Sequence, residues 1–501
     1  MPSSGQRGFK TDLGFNPVEN NMANNVLEHN GKFYCSGQHG DTIIGAWNTF
    51  LAIFDFNGSY IKHHFLRNDT VSFSNYNNHV NYNGEQYTIY GLRSGSMRII
   101  TYDFDRDTFY TSDRVDRTRT RIGADALIIN QQSGIKYGCG DHVRLTSEEK
   151  LLKYLRIYKI NQADTLYHID SLAGKEIVAR NARLNNDGHL VVLGNNSFGN
   201  GFGYSDSIFV TILDSEFNVL HSSLRENFQA DVSLSKGMHV DSNNDIVCTH
   251  NRRFLIDSTM IGVLRNDDLK KPGLTKFSQT GRHLWSTDLG NNINNMNLYG
   301  VWNSVVESPQ RDGYVMVGGE SYMSVLGDSL QVDAAIAKVS YEGDSLWMRR
   351  YSYEREGAVA WDIFTDVYPT SDGGYVATGG STGTDRDPNP FQYTILMKLD
   401  SEGKLDTTGT DNIIQVGYES DVKIYPNPTT GPVYITNDNH ATGYDIDLLS
   451  SSGQLISSYK LKAGYHTMVL DSDHFLDVGV YFLRMRDDLG VVSSKRLVIT
   501  R

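Results

Sequence analysis

The sequence is short of positive charge. Its 501 residues carry 46 Lys and Arg against 59 Asp and Glu, a formal net charge of −13, with no basic run longer than a dipeptide or two. Binding a phosphate backbone needs the opposite sign, so nucleic acid is not expected as a partner. No apolar stretch approaches the roughly 18 residues of a membrane-spanning helix, and no transmembrane segment is expected. The opening residues, MPSSGQRGFKTDLG, have neither the apolar stretch nor the cleavage site of a secretory signal. Cysteine is scarce and odd in number: Cys35, Cys139 and Cys248, with no CxxC spacing. That argues against a disulfide framework and against a zinc site. The Ala, Leu, Glu and Lys richness of helical proteins is missing, whereas aromatics reach 11% with 29 Tyr, and Gly numbers 47. An all-β chain follows.

Chemical motifs are missing too. The chain has no GxSxG elbow, HExxH pair or P-loop. Asp103-Phe-Asp-Arg-Asp107 imitates the start of a calcium loop, but Thr108 and Arg114 stand where Gly and Glu are required, so it reads as a turn. His63 and His64 are neighbours in an alternating strand, point to opposite faces and cannot share a metal. No catalytic residue is assigned, although a fold that gathers distant carboxylates escapes a motif search.

What the chain does have is a repeat. RDGYVMVGGES at 311–321 recurs as SDGGYVATGGS at 371–381, and each copy runs on through an apolar stretch and a Gly-containing turn. Each unit reads as strand a, an Asp-Gly turn, strand b ending in Gly-Gly, a variable loop, strand c, a second turn and strand d. Weaker copies begin at 29, 81, 131, 185 and 242. Seven such units at spacings of roughly 50 to 70 residues predict a seven-bladed β-propeller over 1–405. The three cysteines fall in strands b of alternate units and read as packing residues. Phe9-Lys-Thr-Asp-Leu-Gly14 echoes Trp285-Ser-Thr-Asp-Leu-Gly290, the fifth strand d, so the chain start is expected to supply the outer strand of the seventh blade. Trp285 and Trp347, at equivalent d positions, read as packing between blades.

In such a blade the a–b and c–d turns share one face, and the longer b–c and d–a connections share the other. Segments 195–206, 250–272, 287–299 and 379–390 are long and polar, which makes their face the candidate for a glycan or protein ligand. At the start of each strand a stands an amide or carboxylate: Asn24, Asn78, Asp125, Asn181, Asp231, Asn303 and Asp362. These would ring the mouth of the channel. One reading gives each side chain to its own backbone turn. The other makes a polar ring for a sugar or a cation, with calcium as the candidate because Asp125, Asp231 and Asp362 would otherwise repel one another.

The last part of the chain differs. Three of the ten prolines fall at 426, 428 and 432, within IYPNPTTGPVYI. Proline cannot donate to a ladder, so this stretch is an edge or an approach to one. A polar connector at 406–420 precedes it, and short alternating strands follow over 421–501, predicting a small Ig-like β-sandwich. IYPNPTTG (424–431), LLSSSGQLI (448–456), LDVGVYFLRM (476–485) and KRLVIT (495–500) together resemble the type A C-terminal sorting domain of the bacterial type IX secretion system, found in Bacteroidota. The residues carrying the resemblance are Tyr425, Pro426, Asn427, Pro428, Gly431, Gly453, Gly479, Tyr481 and Lys495; Ser450 stands where the family usually has Asp. The resemblance implies an address read by outer-membrane secretion machinery, and a secreted or surface-displayed protein. It also implies an N-terminal export signal, so the given start is expected to be truncated or misassigned. The upstream repeats resemble uncharacterised propeller cargo. The expected function is surface binding or adhesion, with a polysaccharide hydrolase or lyase and a structural surface-layer component as alternatives.

Overall fold

The computed structural model describes residues 9–500 except 15–19, 42–45, 67–72, 75–80, 83–85, 94–95, 112–122, 130–135, 146–150, 160–165, 170, 173–174, 197–206, 226–229, 233–236, 254–269, 290–299, 324–329, 352–359, 384–391, 406–411, 416–421, 438–443, 451–453, 463–466, 471–476 and 488–491. Among the described residues every element is a β-strand. The chain divides near residue 412 into two compact bodies.

In the first body the described strands between Asn20 and Leu399 fall into six sheets, the last of which joins a sixth and a seventh antiparallel group through one parallel bridge; along the chain the groups run a-b-c-d, and the second, fourth and fifth carry an additional short strand. The first is Asn20–His29, Lys32–Asp41, Ala46–Asp55 and Tyr60–Leu66. The sixth is Gly300–Glu307, Gly313–Met323, Leu330–Ser340 and Ser345–Tyr351. The seventh has three strands from this region, Ala360–Pro369, Tyr375–Gly383 and Gln392–Leu399, and its fourth place is taken by Phe9–Gly14. The chain start therefore lies beside strand c, as its sequence echo indicates, but it is not the outermost strand, because Asn412–Gln415 pairs on its far side.

Tight turns follow one local rule. At the c–d turn of the first repeat, Asp55 Oδ1 accepts the amides of Asn57 at 2.9 Å and Ser59 at 2.7 Å, while the Asp55 amide donates to Ser59 O. Asn185, Asp214, Asp241, Ser278, Ser340 and Asp400 repeat this capping of the residues two and four ahead. A short polar side chain that bonds its own turn amides closes a hairpin without tertiary help.

Each repeat is fastened to the next by recurring contacts. Along the outer strands, Ser223, Thr287 and Tyr351 hydroxyls donate to the turn carbonyls of Gly281, Gly343 and Gly403 in the following repeat. The two tryptophans cover the same turns: a Cβ on Gly343 would lie 2.9 Å from Trp285 Cδ2, and one on Gly403 2.5 Å from Trp347 Cζ3. Trp285 and Trp347 thus pack between repeats, as their spacing suggests. At the a–b turns, Ser242 donates its amide and hydroxyl to Glu307 of the next repeat. Ser371 of the seventh repeat holds Glu28 of the first in the same way. Buried Cys35 lies 3.1 Å from Thr378 Oγ1 across that seventh-to-first contact, and Cys248 is buried in an apolar cluster.

The second body is a two-layer sandwich. Its strands are Val422–Tyr425, Val433–Asn437, Tyr444–Leu449, Leu455–Leu461, Thr467–Leu470, Gly479–Asp487 and Val492–Ile499. The first, second and fifth form one sheet; the fourth, third, sixth and seventh form the other. Val433, Ile435, Ile446, Leu448, Leu483 and Leu497 fill the core between them.

Removing residues 1–14 should lower the melting temperature of the full chain, because it takes a ladder strand from the seventh group and bares a sheet edge. An unchanged melting temperature in calorimetry would show that this strand closes nothing.

Candidate functional site

The expected polar ring lies where strands a begin, and its geometry is set by a bulge. In the first repeat Ala23 pairs with Gly37 and Asn25 with Ser36, so Asn24 is the extra residue. Asp125, Arg180, Asn303 and Thr365 are the extra residues of the third, fourth, sixth and seventh repeats. Each bulge faces a glycine of strand b: Gly37, Gly140, Gly194, Gly318 and Gly379 pair with the residue just before it. The reason is contact. A Cβ on Gly37 would lie 2.0 Å from Met22 O, and one on Gly379 1.8 Å from Ile363 O. A bulge throws the strand backbone toward its partner, and only glycine leaves room.

This register separates the seven residues by their place relative to the bulge. Asn181 stands one residue after its bulge, and Asp362 three residues before Thr365. A tryptophan precedes both Asn303 and Asp362, but Trp302 pairs with Gly318 whereas Trp361 pairs with Thr382. Asn181 and Asp362 are both buried. Asn24 and Asn303 hold the bulge itself. Asp125 holds it in the backbone, and Asp231 lies in the short strand Ala230–Val232; the side chains of both, like the whole of Asn78, fall outside the described residues.

The bulged side chains fasten neighbouring repeats. Asn303 Nδ2 donates at 2.8 Å to Phe364 O, the carbonyl just before the bulge of the seventh repeat. Thr365 Oγ1 donates at 2.7 Å to Ala23 O, the corresponding carbonyl of the first. One position on, Asp366 accepts from Ser304 Oγ at 2.9 Å and from the Val26 amide at 3.0 Å, so a single carboxylate joins the sixth, seventh and first repeats. These polar groups serve backbone partners across repeats, a role that neither sequence reading included. Among the described residues no group of three or more His, Cys, Asp or Glu side chains is arranged to hold a metal ion.

Two further groups belong to this inner layer. Burial pushes the Arg183 guanidinium down to about 10, against the opposing pull of Asp366 three repeats away. Burial and the charge of Arg183 push His239 down to about 3. In the fifth repeat His250 bridges Asp288 at 3.1 Å and Thr275 at 3.0 Å, and Thr275 continues to Ser286. Thr275 and His250 are wholly enclosed, so this chain satisfies buried polar groups rather than presenting a nucleophile. His63 contacts Tyr60 and His64 contacts Asp107, on opposite faces as alternation requires. Of the long loops expected to form a ligand face, 197–206, 254–269, 290–299 and 384–391 lie outside the described residues.

In the second body the sorting motif meets itself. The edge strand ends at Tyr425, and the proline stretch lies along the last strand. Asn427 Nδ2 donates to Arg496 O, and its Oδ1 accepts the Val498 amide at 2.9 Å, so the side-chain amide bonds as a peptide unit would. Thr429 donates its amide to Val498 O and accepts from the Thr500 amide. Pro426 and Pro428, which have no amide to offer a ladder, flank the one residue whose side chain supplies the missing bonds. Thr429 Oγ1 accepts the Gly431 amide at 3.1 Å and turns the chain into the second strand. Gly479 opens the sixth strand, and Tyr481 OH donates to Asp477 O at 2.9 Å. Lys495 pairs with Leu483 in the last strand, and Gly453 lies outside the described residues.

Residues 423–500 match the family model described as a secretion system C-terminal sorting domain. The C-terminal body is a secretion sorting domain. No curated protein sequence matches the chain. Among solved structures, a study of PorZ, an essential bacterial surface component of the type-IX secretion system of Porphyromonas gingivalis, gives 12% identity and a TM-score of 0.35 over 95% of this chain and 59% of that one. The chain thus spans less than two thirds of that protein. The polysaccharide lyase Uly1 gives 10% identity and a TM-score of 0.39, covering 75% of this chain and 90% of that one. A puromycin-hydrolysing peptidase of Mycobacterium tuberculosis gives 8% and 0.43, covering 83% and 58%.

Two predictions follow from the inner layer. Gly379→Ala should cost about 1–3 kcal/mol in urea unfolding, the range for forcing atoms into filled space. Gly380→Ala, whose Cβ would meet Met22 Cγ at 3.4 Å, should cost little; equal effects would remove the bulge explanation. His239 has a folded pKa below its unfolded value, so the unfolded chain binds more protons between the two. Stability is therefore full above about pH 6.5 and falls as pH drops toward about 3. His239→Leu should flatten the pH 6.5 to 5 part of the stability curve, read by thermal melts.

Proposed function

We propose that this protein is cargo of the type IX secretion system, delivered to the cell surface or the medium by residues 421–501, and that residues 1–405 form a seven-bladed β-propeller acting there as a binding or adhesion module. The observation that carries the proposal is the sorting domain at 423–500. Strand order and the Tyr481–Asp477 bond support an Ig-like sandwich, in which a tyrosine near the start of the sixth strand bonds back to the chain upstream.

For the propeller, the support is the succession of described antiparallel groups of four or five strands in sequence order, with Phe9–Gly14 beside the three strands of the last. The seventh-to-first contact repeats the Ser–Glu clasp of the fifth-to-sixth. For binding, the support is the division between short self-capped turns and long polar connections, which under this reading lie on opposite faces. No specific arrangement among the described residues favours the polysaccharide hydrolase or lyase.

Deletion of residues 422–501 should leave the first body folded and strand it in the periplasm, since the two bodies have separate cores. Fractionation and surface labelling in a bacterium that carries the secretion system decide it. Normal surface delivery of the truncated protein would refute the proposal.

A further inference from the structure

The outer face of the four-stranded sheet of the sorting domain is split in two. One half is what a free-standing sandwich shows to water: Asp445 pairs with Lys460 at 3.1 Å, and Asp447 binds Arg484 at 2.7 Å and Ser458 at 2.6 Å. The other half is apolar. Leu455, Leu449 and Phe482 stand directly opposite one another across three strands, and Val480 pairs with Val498 in the next row. Leu455 is 54% exposed, Ile456 41%, Val480 40% and Phe482 37%. Outward positions of a sandwich alternate with core positions and are ordinarily polar. A contiguous apolar row rimmed by charge marks an interaction surface.

We propose that this row is the face by which the secretion apparatus grips the sorting domain, the partner being a protein of that apparatus with an apolar surface. The proposal rests on the sorting reading above. Three of the four stretches that carry the family resemblance supply the row: 448–456 gives Leu449, Leu455 and Ile456, 476–485 gives Val480 and Phe482, and 495–500 gives Val498. Their inward residues Leu448, Leu483 and Leu497 account for the core. The outward ones do nothing for it, and a signal shared for recognition needs outward residues. Arg496, directly across from Phe482, closes the row with a positive charge, so the partner's matching surface carries an acidic group at its rim. In the fourth stretch Asn427 and Thr429 bond the edge of the last strand, and the exposed Tyr425 stacks on Tyr434 of the opposite sheet.

The test uses the full chain in a bacterium that carries the secretion system. Phe482→Glu with Leu455→Glu should cut surface-exposed protein at least tenfold and accumulate it in the periplasm with a protease-resistant sorting domain. Tyr434→Glu with Val469→Glu, two exposed residues of the opposite sheet, should be exported as the unaltered protein is. If the glutamates unfold the domain, Phe482→Ser with Leu455→Ser decides in the same assay. Normal export of a folded row variant overturns the proposal, as does an equal block from the opposite-face pair. A dimer in light scattering that the row variant abolishes, with export unchanged, gives the face to a second copy and also overturns it. Export of the 422–501 deletion would instead remove the sorting reading itself.

Discussion

The first body depends on a close approach of two backbones. Where strand a begins, an extra residue pushes its chain onto a glycine of strand b, and the side chain of that extra residue is freed to reach the next repeat. Among the described residues, successive groups pair with one another only through one parallel bridge between the sixth and seventh, Val332 to Trp361. Cohesion between them has to come from side chains. Bulge to carbonyl, hydroxyl to turn glycine, and serine to glutamate supply it at three different distances from the bulge. The seventh repeat meets the first through the same kinds of bond that join the fifth to the sixth and the sixth to the seventh.

Charge is handled by the same economy. Lys276, Lys338 and Lys398 lie buried on strands c, and each meets a carboxylate of its own a–b turn: Asp245 at 2.9 Å, Asp312 at 2.7 Å and Asp372 at 2.5 Å. Hydrogen bonds from these lysines hold the Asp312 and Asp372 carboxyls below the usual range, against the burial that would raise them. A buried ammonium without such a partner would be costly, so the turn aspartate is tied to the lysine as well as to the turn.

Much of this was legible. The Asp-Gly turns, the alternation and the Gly-Gly endings located strands a to d, and the FKTDLG echo located the strand that the chain start lends to the seventh group, because these are local signals with local causes. The bulge near the start of strand a was not legible, because a bulge shifts register without changing composition. What fixes the register is the facing glycine some 15 residues away, as with Trp302 and Gly318. The stitching role of Asn303 and Thr365 was out of reach for a different reason: their partners are backbone carbonyls, which every residue type supplies. In the sorting domain the motif residues were legible as a set, but which of them face outward depends on cross-strand pairing that no single strand encodes.

The bond between Asn427, Thr429 and the last strand has a mechanical meaning. Thr429 and Ile499 run parallel, one just after the chain comes into the sorting domain and the other just before it leaves. Tension between a folded cargo held at one end and an anchor gripping the other would load these bonds along the strands, in shear, so that they must give way together. The first and last described strands of the domain are in this way clamped side by side through the proline stretch.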